Sequence, residues 1–136
     1  MGTTSDHDLH TEAVLQPAVD HLRATSRAAL DDPAALAEAL EAARTAVTRH
    51  IADVEDSLLR EIERRAPRLI HRTLQLRAEH DEMYQLLDEM VVPTSEAELA
   101  RVRRQIDVLV RLVDRHGDHS TDVLFQAYNT DLGSGP

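Results

Sequence analysis

Eight histidines, at positions 7, 10, 21, 50, 71, 80, 116 and 119, stand out in a chain that has no cysteine and only Tyr84, Phe125 and Tyr128 as further aromatic residues. Imidazoles with carboxylates nearby do two kinds of chemistry at neutral pH. They hold a divalent cation, or they pass protons as general acid and base. Residues 48–55 carry one such grouping, with His50 followed by Asp53 and Glu55. His80 directly follows Glu79, and His116, His119 and Asp122 form a third group. A cation inside a helical bundle needs an inward histidine and an acid from several different helices. The question is therefore which elements carry these residues and which way each one faces.

Ala, Leu, Glu and Arg dominate the composition, which favours helix. Helix A is expected over 9–30, with Pro17 bending it. Asp31-Asp32-Pro33 is a stop and restart, with Asp32 as N-cap and Pro33 at the first helical position. Helix B is expected over 33–65, with Leu36, Leu40, Ala43, Val47, His50, Val54, Leu58 and Ile62 on one face and Arg44 on the exposed side. Helix C, over 67–90, aligns Leu69, Thr73, Leu76, His80, Met83, Leu87 and Met90. Ser95 and Glu98 make a capping box for helix D, over 95–129. Its face reads Leu99, Val102, Ile106, Leu109, Val113, His116, Ser120, Val123 and Ala127, with Gly117 expected to kink the helix or end its first segment. The reading is an all-α, antiparallel up-down four-helix bundle over 9–130, between tails at 1–8 and 131–136.

These faces sort the histidines. His50, His80 and His116 each fill an apolar slot, whereas His71 lies half a turn from His80 and faces solvent. Folding helices B and C about Ala66 brings His80 level with Ala52, next to His50. Folding A and B about Asp31/Asp32 brings His50 level with Ala13, close to His10, and leaves His21 roughly 12 Å off. His10, His50 and His80 therefore converge, with His7 and His21 as the other helix A candidates. His116 falls roughly 13 Å beyond the level of His80 if helices C and D fold about Pro93/Thr94. His119 with Asp122 is an alternative pair.

The charge excludes several classes. With 15 basic and 25 acidic residues the net charge is −10, which argues against nucleic acid and anionic membrane surfaces as partners. Without cysteine there is no disulfide, no thiolate metal site and no cysteine nucleophile. No apolar run reaches membrane-spanning length and no signal-peptide core is visible, so a cytoplasmic setting is expected. No phosphate-binding glycine loop or nucleophile motif is present.

His10, His50 with its nearby acids, Glu79-His80, and His116 with Asp122 together resemble the hemerythrin-like HHE cation-binding domain. Leu58-Leu59-Arg60-Glu61-Ile62, Ala66-Pro67-Arg68-Leu69 and the stretch from Asp122 to Asn129 are similar to a bacterial branch of such proteins. The resemblance covers almost the whole chain. It implies a four-helix bundle with two non-haem irons, zinc or manganese being the other metals such ligands suit. It implies His10, His50, Glu55, His80, His116 and Asp122 as ligands. It also implies a small oxidant as partner: binding or activation of dioxygen, sensing of oxygen, peroxide or nitric oxide, or, if an enzyme, oxidoreductase chemistry. Tyr84, one turn from His80, is the candidate catalytic residue, as a hydrogen-bond donor to a metal's ligand or as a phenolate. The chain departs from the family where the bridging glutamate is usual. Four residues after His50 stands Val54, and Glu55 lies 140° around an α-helix from His50.

Two other readings use the same residues. One is a metal-free bundle whose histidines serve the core and whose surface meets a partner or a second copy of the chain through the regular face of helix D. The other is metal-independent acid–base work centred on His116-Gly117-Asp118-His119.

Overall fold

The computed structural model describes residues 15–133. Among them the regular elements are all helical. α1 spans 15–25 and tightens into a 3-10 turn at Ser26–Ala28. It runs through Pro17, and Leu15, Val19, Leu22, Ser26 and Ala29 point inward at steps of three and four. Asp31 and Asp32 both donate backbone N–H groups to the Ala28 carbonyl. The Asp32 side chain then accepts from Ala35 N at 3.1 Å, with Pro33 in the first turn, as expected of this stop-and-restart sequence.

Helix B is a single rod made of α2 (Pro33–Arg49), a π-helical turn (His50–Glu55) and α3 (Asp56–Arg65). Ala66 breaks it with φ −132° and ψ 69°. A 3-10 turn at Pro67–Leu69 leads into α4 (Ile70–Glu89), so the α-helical part of helix C starts three residues later than expected. Met90 is extended, and α5 (Glu96–Gly133) forms helix D. Ser95 Oγ accepts from Glu98 N at 3.1 Å, as the capping box requires. The reciprocal arm goes one residue earlier: Glu98 accepts from Thr94 N and Thr94 Oγ1.

α5 is unbroken at Gly117, contrary to the expected kink. Glycine costs about 1 kcal/mol relative to alanine within a helix, but it stops one only when the chain takes up a left-handed cap. No described glycine has a positive φ.

The bundle interior has two apolar blocks. The larger contains Leu22, Leu36, Val47, Ile51, Met83, Leu87, Ile106, Leu109 and Val113. The smaller contains Leu59, Ile62, Leu69, Leu76, Val123 and Ala127. Between them, at the same height on helices B, C and D, lies a buried polar layer of His50, Glu55, Glu79, His80, His116 and Ser120.

Arg44, expected on the exposed side, is half-buried and ties helix B to the end of helix C. Its Nη2 donates to the Leu87 carbonyl at 2.9 Å and the Met90 carbonyl at 3.3 Å, satisfying acceptors that a helix end leaves open. Arg44→Ala is expected to cost about 1–2 kcal/mol in urea unfolding, because charge-assisted bonds to partly buried carbonyls are lost. Arg101→Ala, exposed on α5, is expected to stay within about 0.5 kcal/mol.

Candidate metal centre

The polar layer depends on an irregular turn. In an α-helix Glu55 could not share a face with His50. The π-helical turn adds one residue to a single winding, and Asp56 N–H donates to the Ile51 carbonyl five residues back rather than four. Glu55 therefore arrives about one turn below His50, and its Oε2 lies 3.1 Å from His50 Nε2. Beyond the turn the inward positions are Glu55, Leu59 and Ile62, whereas the expected series ran through Val54 and Leu58; Leu58 is half-buried.

Two more imidazoles reach the same carboxylate. His80 Nε2 from α4 contacts Glu55 Oε2. His116 Nε2 from α5 lies 2.7 Å from Oε2 and 2.8 Å from Oε1. Ser120 Oγ donates to Oε1 at 3.0 Å. The His116 ring stands edge-on to its neighbours, 4.9 Å from His80 and 6.0 Å from His50 between centroids. A donor atom from each of His50, Glu55 and His116 lies within 4.8 Å of the others.

The far side of His116 is also held. Its Nδ1 lies 2.8 Å from Glu79 Oε1. His119 Nδ1 lies 2.6 Å from Glu79 Oε2, and Arg115 Nε is 3.8 Å from the same oxygen. His119 thus does not replace His116: it takes Glu79, while His116 spans Glu79 and Glu55. His50 Nδ1 is buried and has no hydrogen-bond partner among the described residues.

The electrostatics follow from this geometry. Burial acts to raise the Glu55 pKa, but hydrogen bonds from His116, His50 and His80 outweigh it and hold the carboxyl well below the usual range. Burial acts to lower the His116 pKa. Hydrogen bonding and charge from Glu55 and Glu79 outweigh that, and the imidazole is raised above its ordinary value. A proton on His116 gives both ring nitrogens a donor role, one toward each carboxylate. His50, Glu55 and His116 offer a donor set of the kind a divalent metal accepts, and His80 Nε2 contacts the same carboxylate from α4. Glu79 then fixes the His116 ring through its other nitrogen.

The structure brings together His50, Glu55, His80 and His116 from the expected ligands. The level objection to His116 fails. Residues 90–93 are not helical and Met90 is extended, and extended chain rises about twice as far per residue as helix. The connection therefore carries the start of α5 past the end of α4. Asp122 is exposed, 3.9 Å from Arg72 Nη2, and does not join the cluster. Tyr84 is half-buried against the larger apolar block, and burial pushes its pKa up. Asp53, His21 and His71 are exposed, and His10 and His7 lie outside the described residues. Glu79 and Ser120 were missing from the expected ligands. Their signal was spacing: Glu79 is three after Leu76 and four before Met83, and Ser120 is four after His116.

A family model described as hemerythrin HHE cation-binding domain matches residues 6–128. No curated protein and no solved structure matches the chain.

Two outcomes test this geometry. Deleting the exposed Asp53 removes the extra residue of the π turn and leaves Glu55 four residues after His50. The downstream face is expected to be kept, with an unfolding midpoint at or above that of the parent. Deleting the exposed Ala78, in regular α4, rotates everything after it and is expected to abolish cooperative unfolding. The second outcome concerns pH in metal-free protein. Glu55 has a folded pKa below its ordinary 4.5, so its contribution is present above that value and lost as pH falls through the folded pKa. His116 has a folded pKa above its ordinary 6.5, so its contribution is full below that value and lost as pH rises through the folded pKa. Urea midpoints in chelator should therefore peak between these two values, and a profile that keeps rising above pH 6.5 contradicts the assignment.

Proposed function

The chain belongs to the hemerythrin HHE cation-binding domain family, and from that premise we propose that it holds non-haem iron in the polar layer and binds dioxygen or a related small oxidant. The observation that carries the reading is the convergence of three imidazole Nε2 atoms, from helices B, C and D, on the buried carboxylate of Glu55. His50, Glu55, His80 and His116 would be the ligands. Iron held there would supply electrons to a small oxidant. Were a second ion bound, His10 would be the candidate for a further ligand.

The protein's own groups shape what the site can do. Glu55 supplies the negative charge that retains a cation. Glu79 holds the His116 ring by its Nδ1, leaving Nε2 directed at Glu55. Ser120 donates to Glu55 and orients it. The apolar blocks above and below limit access of water to the layer. Dioxygen binding or sensing of oxygen, peroxide or nitric oxide in a cytoplasmic setting is the use we favour; an oxidoreductase activity would need a substrate site beyond this layer. Zinc or manganese would fit the same donors. Among the described residues no helix is long and apolar enough to cross a membrane.

One observation favours a second reading. With a proton on His116 the carboxylates of Glu55 and Glu79 both have donors without any metal. A metal-free bundle with an internal ion-pair network, acting through its surface, is therefore chemically self-consistent.

Elemental analysis separates the two. Tag-free protein from iron-supplemented cells is expected to carry stoichiometric iron, and His50→Ala, His80→Ala and His116→Ala are each expected to lose most of it. Protein that takes up no metal on anaerobic reconstitution, or a His50/His80 double variant with full metal content, would overturn the iron reading.

A further inference from the structure

A cavity of about 260 Å³ lies between helices A and D, lined by Arg23, Ser26, Arg27, Arg103, Ile106 and Asp107. Ser26 and Ile106 are buried and form its floor, while the four charged residues are exposed and stand around its rim. Asp107 precedes His116 by nine residues on α5, roughly 13 Å along the helix axis. The cavity is therefore separate from the Glu55 layer.

The charges at this rim do not balance. Three guanidinium groups share it with one carboxylate, in a chain whose net charge is −10. Among the described residues the only acid paired with them is Asp107, whose Oδ1 is 3.5 Å from Arg23 Nε. Arg27 is left without one, although it lies four residues from Arg23 on helix A, where like charges repel. The fold accounts for part of this. Arg103 Nη2 donates to the Arg27 carbonyl at 3.0 Å and closes the end of helix A. The carbonyl end of a helix favours a nearby cation, but three exceed that need. The bond to the carbonyl takes one of the five N–H donors of Arg103 and fixes the remaining ones beside Arg27.

A planar guanidinium presents paired donors that match two oxygens of an oxyanion. Three such groups, from two helices, address more oxygens than a single carboxylate has. Their charge in excess of Asp107 matches that of a phosphate dianion. We propose that this cavity is a phosphate-binding site, with Arg27 and Arg103 as its principal donors, Arg23 as the third, and Asp107 as the group that limits its affinity. The ligand class is a phosphate dianion, free or carried as a monoester on a small molecule. The site does not depend on whether the Glu55 layer holds iron.

The test follows arginine Nε–H signals by NMR in the full chain, at about pH 7, where phosphate is close to dianionic. Ionic strength is held constant, because salt screens exposed charges. Inorganic phosphate replacing chloride should shift the Arg27 and Arg103 signals along coincident, saturable curves and leave that of Arg68, exposed at the turn between helices B and C, unmoved. Arg27→Gln breaks no ion pair and should weaken binding roughly tenfold. Arg103→Lys, which keeps the charge and loses the fork, should weaken it as well. Asp107→Asn should tighten binding severalfold, a gain that a folding defect does not produce. Glycerol phosphate in the same titration separates the two sources: a matching dissociation constant assigns the phosphate group alone, and a tighter one assigns a monoester. Shifts that rise without saturating, or a dissociation constant unchanged in both Arg27→Gln and Asp107→Asn, would overturn the proposal.

Discussion

Glu55 is a carboxylate with almost no access to water, and hydrogen bonds from three imidazoles outweigh its burial and hold its pKa well below the usual range. An isolated ion in that position would cost many kcal/mol, so it persists only with a cation and hydrogen-bond donors around it. Much of the bundle's irregularity serves that need. The π turn delivers the carboxylate to the interior. Helices C and D supply His80, His116 and Ser120 at its level, and His50 sits one turn above it. The layer interrupts the apolar core and divides it into two blocks. Apolar side chains in its place would pack more simply.

The compensating cation can be a proton or a metal, and the arrangement accommodates either. Protonated, His116 links Glu55 to Glu79. Deprotonated at Nε2, it becomes one of three imidazoles facing a single carboxylate, with Glu79 still holding its other nitrogen. Membership of a cation-binding family accords with the second state. At the position four residues after His116 this chain has Ser120, a donor to Glu55, and the acid expected on helix D, Asp122, is on the surface. Among the described residues one carboxylate thus faces the three Nε2 atoms, and a second, Glu79, holds one of them, His116, from behind.

The fold was legible because its helices obey a 3-4 apolar periodicity and carry recognisable start signals at Asp32-Pro33 and Ser95. The same periodicity identified His50, His80 and His116 as inward and His71 as outward. It failed where the helix itself departs from 100° per residue. Across residues 50–55 an α-helical count puts Glu55 on the wrong face, and nothing in His-Ile-Ala-Asp-Val-Glu announces an extra residue per turn. Only the family resemblance put Glu55 among the expected ligands, and the structure buries it beside His50, His80 and His116. The level of His116 was misjudged because a mirror-image hairpin ignores the rise of an extended connection. Glu79 was noted beside His80 but not counted among the ligands, because an acid on an apolar face reads as a boundary residue until its partners from another helix are known. Gly117 read as a helix breaker, although it lies in regular helix.

X-ray absorption at the iron edge of reconstituted protein tests the central claim most directly. The account predicts the outer-shell scattering of imidazoles from His50, His80 and His116 together with a carboxylate, and a reduced imidazole signal in His80→Ala. An oxygen-only shell without imidazole scattering, or a spectrum unchanged by His80→Ala, would contradict it.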